Sequence, residues 1–168
     1  MKAVASILAL DPGRTTGYAI AIVQDGKPYI GYVQEELNHR GFYTLLDNVA
    51  RACDWELNIV CESFSFRKGK TGIDLYPCEL IGVLHYFVAS YPRNYLSMQE
   101  PSVQGAKSAY YTDAKLKELG LYQKEYQHGR SAVKHLLHWL HFGHGASFNP
   151  IIETSELVEM DWAKKNLV

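Results

Sequence analysis

The chain has 168 residues, 47% of them hydrophobic, with twelve tyrosines and no apolar run near the ~20 residues a bilayer span needs. That profile excludes a disordered chain and predicts one folded domain with a sizeable core. With 17 basic and 18 acidic residues the net charge is −1, so a globally basic nucleic-acid binder is excluded and any such contact must come from local patches.

Residues 5–10 form a continuous apolar run of strand length, as expected for a strand buried on both faces. Its apolar stretch superficially resembles a signal peptide, but it runs straight into Asp11-Pro12-Gly13, without a small-residue cleavage pattern. A first buried strand and a cytoplasmic location are therefore expected. Residues 17–23 read as a second strand, Asp25-Gly26-Lys27 as a tight hairpin turn, and residues 29–34 as a third strand. Two successive hairpins give three antiparallel strands.

From residue 41 to 55 the period becomes helical, with Phe42, Leu45, Leu46, Val49 and Ala52 three or four apart. A short strand over 57–62 ends on Glu62. Residues 72–91 read as a second helix closed by Pro92, residues 95–99 as a fifth strand, and residues 102–119 as one or two polar helices before Gly120. The last clear helix spans about 128–142, with Val133, Leu136, Leu137 and Leu140 as its apolar stripe. The domain is expected to cover residues 1–145, and composition alone does not place the tail over 146–168. Cys53, Cys61 and Cys78 lack metal-ligand spacing and read as reduced, buried thiols. Right-handed crossovers lay the fourth and fifth strands parallel to the first. The expected fold is α/β, a five-stranded mixed sheet of three antiparallel and two parallel strands flanked by helices.

Chemistry in such sheets collects at strand ends beside crossovers. Asp11 and Glu62 each close an apolar strand. If those strands are parallel neighbours, their carboxylates share an edge and repel unless a cation stands between them. Mg²⁺ or Mn²⁺ suits hard oxygen ligands. The plain alternative is that each acid only ends its strand, Asp being a good turn residue. In the segment QHGRSAVKH, His128, Ser131 and His135 share one flank of the last helix, where an imidazole could ligate a metal or accept a proton. Four of the seven histidines lie between 128 and 141, so most read as ordinary surface or packing residues. Directly after Glu62, the aromatics Phe64 and Phe66 stand beside Arg67, Lys68 and Lys70. Such a loop can stack on unpaired bases while its cations engage phosphates. Arg14, Lys107, Arg130 and Lys134 could extend that patch.

ILALDPGRTTGYAI resembles the opening motif of RuvC-type Holliday junction resolvases, IVCESFSF resembles their second motif, and HGRSAVKHLLHWL their last. Together these cover about residues 5–142 in the family's order. The resemblance implies a ribonuclease-H-like fold and a homodimer that cuts branched DNA with two Mg²⁺ or Mn²⁺ ions per active site. Asp11 and Glu62 match the first two metal-binding acids, and His128 matches the first ligand of the last motif. Phe64 and Phe66 flank the position of the family's junction-engaging aromatic. Ser131 departs from the pattern, because the family carries Asp there and a hydroxyl is a much weaker metal ligand. A weakened enzyme, an engineered change, or a transfer of ligand duty to Glu125 or Asp113 would each account for it. A junction-binding protein with impaired cleavage is the second reading. A third takes residues 11–17 as a phosphate loop like that of the actin and sugar-kinase ATPases, but the chain is about half the length such proteins need and lacks a second glycine-rich loop.

Overall fold

A computed structural model describes residues 5–54, 56–65, 72–101, 110–143 and 149–167. Three antiparallel strands open the chain: β1 (Ala5–Asp11), β2 (Thr15–Gln24) and β3 (Lys27–Glu36). The β2–β3 turn has positive φ at both Asp25 (53°) and Gly26 (79°), as the Asp-Gly pair requires. Helix α1 (His39–Ala52) follows, capped by Asn38, whose side-chain oxygen accepts from the Gly41 N–H at 2.8 Å. Then come β4 (Asn58–Glu62), α2 (Tyr76–Ser90) and β5 (Tyr95–Gln99), with β4 parallel to β1 and β5 parallel to β4. Helix α2 begins four residues later than its apolar pattern predicts, at the position where Pro77 fits a first helical turn.

The short helix α3 (Asp113–Glu118) and the 16-residue α4 (Gln127–Phe142) complete the predicted set. Residues 102–109, including Lys107, lie outside the described residues. The tail, unplaced by composition, is built onto the third strand. After a 3₁₀ turn (Ile152–Thr154), β6 (Glu156–Leu157) pairs parallel with β3, and α5 (Met160–Lys165) buries Met160 and Ala163. The sheet therefore has six strands in the order β5-β4-β1-β2-β3-β6, not five. The sixth strand is missed because two residues carry no readable alternation.

Strand alternation divides the core. On one face Ile7, Ala9, Ala19, Ala21, Tyr32 and Val60 meet α4. On the other, Leu8, Leu10, Ile20, Ile59 and Cys61 meet α1 and α2. The apolar side chains of β1 and β4 are covered by helix whichever way they point, which is why these strands read as unbroken apolar runs. Cys53 and Cys61 are buried thiols, whereas Cys78 is half-exposed, contrary to the expectation for it. No described helix is long and apolar enough to cross a membrane.

Candidate functional site

The strand register builds the site. Asp11 pairs with Gly17, Gly17 with Gln34, and Glu62 with Gln99, while Leu10 and Cys61 bring the ends of β1 and β4 level. Gln99, Glu62, Asp11, Gly17 and Gln34 thus form one row across five strands. Side chains alternate along a strand, so each of the five shares a face with core residues that meet α4. Asp11 and Glu62 stand on neighbouring strands, whose spacing is ~4.8 Å. The turn after Asp11 is braced by Thr16, fully buried, whose hydroxyl donates to the Gly13 carbonyl at 2.8 Å.

Helix α4 lies across this row because two glycines let it. A Cβ on Gly17 would sit 2.0 Å from the His128 carbonyl oxygen, and one on Gly129 would sit 2.7 Å from the Tyr32 ring. At that close approach the His128 N–H donates to Gln34 Oε1 at 2.9 Å, satisfying one of the helix's orphan N-terminal donors. The His128 ring meets Asp11, with Nδ1 3.0 Å from Oδ2. Two turns further along, His135, fully buried, meets Glu62, with Nε2 3.0 Å from Oε2, and its Nδ1 lies 2.8 Å from Gln99 Oε1. Side-chain exposures of 15% for Asp11, 18% for Glu62 and 43% for His128 leave the edge open to solvent on the His128 side. The hydrogen bond to Asp11 raises the His128 pKa above its ordinary value. Burial opposes that shift, and the charges of Asp11 and Glu62 reinforce it.

The structure thus brings Asp11, Glu62 and His128 to one edge. Ser131 sits between the two imidazoles in sequence, but its hydroxyl donates to the Gln127 carbonyl of its own helix at 3.4 Å. Asp113 does not stand in for it. This carboxylate pairs with Lys134 at 2.7 Å and with Arg130 at 3.4 Å, on the flank of α4 away from His128. Burial works to raise the Asp113 pKa, but Lys134 and Arg130 outweigh it and hold the group below its ordinary value. The same pairing takes Arg130 and Lys134, only 12% and 14% exposed, out of any basic patch. Glu125 is exposed in the segment before α4. Phe64 is half-buried just after β4, while Phe66, Arg67, Lys68 and Lys70 lie outside the described residues. Arg14, in the turn after Asp11, is exposed, pairs with Asp74 at 2.9 Å and helps line a cleft of about 420 Å³ with Glu36, Leu37, Asn38 and Tyr76.

Two carboxylates and an imidazole at one edge are donor types that suit Mg²⁺ or Mn²⁺. As arranged, each carboxylate holds an imidazole, and among the described residues no three His, Cys, Asp or Glu side chains converge tightly enough to hold an ion. The donors fit such an ion in kind, with the acids drawn into two separate pairs. Sequence reasoning overlooked Gln34 and Gln99, since a glutamine ending a strand carries no signal of its own. It placed His135 on one flank of the last helix with His128 and Ser131 but gave it no partner.

No protein-family model matches the chain, and no curated protein matches it in sequence. Solved structures do. The chain is similar to RuvC of T. thermophilus in complex with a Holliday junction substrate, at 15% identity and a TM-score of 0.56, over 79% of this chain and 90% of that one. It also aligns with the Fowlpox virus resolvase bound to substrate Holliday junction DNA, at 15% identity and a TM-score of 0.49, over 79% and 95% of the two chains. A third match is the yeast mitochondrial Holliday junction resolvase, at 14% identity and a TM-score of 0.48, over 92% and 76%. Taken with the mixed sheet and its flanking helices, the first of these likenesses settles the architecture: the chain has the ribonuclease-H-like fold in the form seen in RuvC-type Holliday junction resolvases.

Proposed function

We propose that the protein is a structure-selective endodeoxyribonuclease that hydrolyses phosphodiesters in Holliday junctions or other branched DNA. The observation that carries this reading is the meeting of Asp11, Glu62 and His128 at one open strand edge. The edge lies in a fold shared with a resolvase whose structure holds a junction. Asp11 and Glu62 would hold divalent ions, with His128 as the imidazole ligand or as an acceptor of the attacking water's proton. Bound there, such ions would supply Lewis acidity, making water a better nucleophile and offsetting charge on the leaving oxygen. Asp11 and Glu62 fix the negative edge of the site, and β1 and β4 keep the two acids level. The α4 N-terminus, seated by Gly17 and Gln34, aims His128 at that edge. Arg14 would meet a backbone phosphate, since its exposed pair with Asp74 is worth little and is easily exchanged. A homodimer would bring two such edges to the two opposed strands of a four-way junction.

A second reading, a junction-binding protein with impaired cleavage, is favoured by Ser131, whose hydroxyl serves the helix backbone. Incubation of end-labelled four-way junctions with Mg²⁺ or Mn²⁺ separates the two. The enzyme reading expects paired nicks that vanish in Glu62→Gln and grow stronger in Ser131→Asp. Shifted junctions without nicking in either ion would refute it, and nicking gained only with Ser131→Asp would establish the second reading.

A further inference from the structure

The α4 stripe of Val133, Leu136, Leu137 and Leu140 is fully buried, and His135 is buried within it. A polar ring in that position is costly unless both nitrogens find partners. Both do, and both partners are side chains from strand ends in the row that carries Asp11. Nδ1 faces Gln99 Oε1 at 2.8 Å and Nε2 faces Glu62 Oε2 at 3.0 Å. The two strand ends are themselves fixed, because the β4–β5 ladder runs in register to Glu62 and Gln99 and the Ser63 N–H then donates to the Gln99 carbonyl at 2.7 Å. One turn earlier, Ser131 turns its hydroxyl to its own helix. His135 is thus a buried side chain through which α4 reaches Glu62 directly.

We propose that His135, its ring held by Gln99, is a positioning residue that orients the Glu62 carboxylate for divalent-cation binding. The proposal rests on the metal-dependent reading above. Gln99 on β5, His135 on α4 and Glu62 on β4 form a relay in which two rigid strands and one rigid helix set the direction of a single carboxylate. Partners of this kind behind a metal ligand are worth about 10- to 100-fold in metal affinity. A tie that merely fastened β5 to α4 would contribute stability and leave ion binding alone.

The two roles separate in DNA-free protein titrated with Mn²⁺, with free ion read by electron paramagnetic resonance and folding checked by circular dichroism at the same temperature. Wild type is expected to bind Mn²⁺ and Asp11→Asn to lose it. His135→Leu should weaken binding by about 10- to 100-fold among folded molecules. His135→Gln, which restores an N–H donor within reach of Glu62, should recover most of that loss. Gln99→Leu keeps the imidazole but frees its ring, so it should weaken binding as well, and it carries the test if His135→Leu does not fold. Mn²⁺ affinity in His135→Leu or Gln99→Leu within about twofold of wild type, with Asp11→Asn inactive in binding, would overturn the positioning role alone. No Mn²⁺ binding by wild type, or binding unaffected by Asp11→Asn, would instead overturn the metal-dependent reading and the positioning role with it.

Discussion

Gly17→Ala puts the seating of α4 to the sharpest trial. The added methyl group would lie 2.0 Å from the His128 carbonyl oxygen, 2.1 Å from its carbonyl carbon and 2.6 Å from the Gly129 nitrogen. All three atoms are backbone, so no side chain can swing aside. Restoring ordinary contact near 3.4 Å requires the first turn of α4 to lift by about 1.4 Å. A lift of that size takes the His128–Asp11 contact, now 3.0 Å, beyond hydrogen-bond reach and pulls the His128 N–H from Gln34. Overpacking of this kind costs about 1–3 kcal/mol, roughly 4–8 °C in melting temperature at the middle of that range for a chain of this length. A displacement of about 1 Å at reacting groups costs on the order of 10²-fold in rate. Gly82→Ala, in α2 with nothing within 4 Å of its Cβ, is the control and should raise stability by about 0.5–1 kcal/mol. Urea denaturation and junction cleavage read both variants. If Gly17→Ala melted with wild type and cut at wild-type rate, the close approach of α4 to β2 would not be what aims His128.

Further tests address the supports around that contact. The Tyr32 hydroxyl donates to the Leu121 carbonyl at 2.7 Å and accepts from the Gln123 N–H at 2.7 Å, so Tyr32→Phe should cost about 1–3 kcal/mol in urea unfolding. Met160, 9% exposed, joins the tail to the α1 side of the core, and Met160→Ala should cost about 2–5 kcal/mol by the same measurement; a loss below 0.5 kcal/mol, on the order of a surface substitution, would show that the tail contributes little. Asp113 titrates below its ordinary value in the folded chain, so its contribution is present above the unfolded pKa of about 3.9 and is lost as pH falls through the folded one. Asp113→Asn should therefore be less stable than wild type at pH 7, with the gap narrowing in denaturant titrations towards pH 2; an equal gap at both ends would contradict the assignment.

What the sequence discloses about this fold follows the strength of each local pattern. Strands β1 and β4 are buried on both faces, so their apolar runs stand out, and the acid ending each run stands out with them. The Asp25-Gly26 turn is legible because its backbone demands φ above zero at both residues. Helix α4 shows in its stripe, but which of its four histidines faces a carboxylate depends on how the helix crosses the strands. Gly17 and Gly129 set that crossing, and their role exists only once β2, β3 and α4 are in contact. Gln99 becomes a partner of His135 only through the register of β5 against β4. Arg130 and Lys134 look like a basic patch in one dimension and are a clamp on Asp113 in three.

The pairing of acids with imidazoles also gives Ser131 a physical setting. Two carboxylates on neighbouring strand ends repel, and a third carried near them by the first turns of α4 would intensify that repulsion in the absence of a cation. With serine at 131, each acid has a nitrogen donor of its own, Asp11 from His128 and Glu62 from His135. The serine site should therefore tolerate the loss of metal better than an aspartate site. Ser131→Asp is expected to lower melting temperature in chelator and to regain it, or exceed wild type, in Mn²⁺, since ligand binding to the folded state adds stability in proportion to the logarithm of occupancy. Thermal melts in chelator and in Mn²⁺ read both terms. A Ser131→Asp chain as stable as wild type in chelator would mean that position 131 does not feel the two acids, and the proposed enhancement of cleavage by Ser131→Asp would lose its basis.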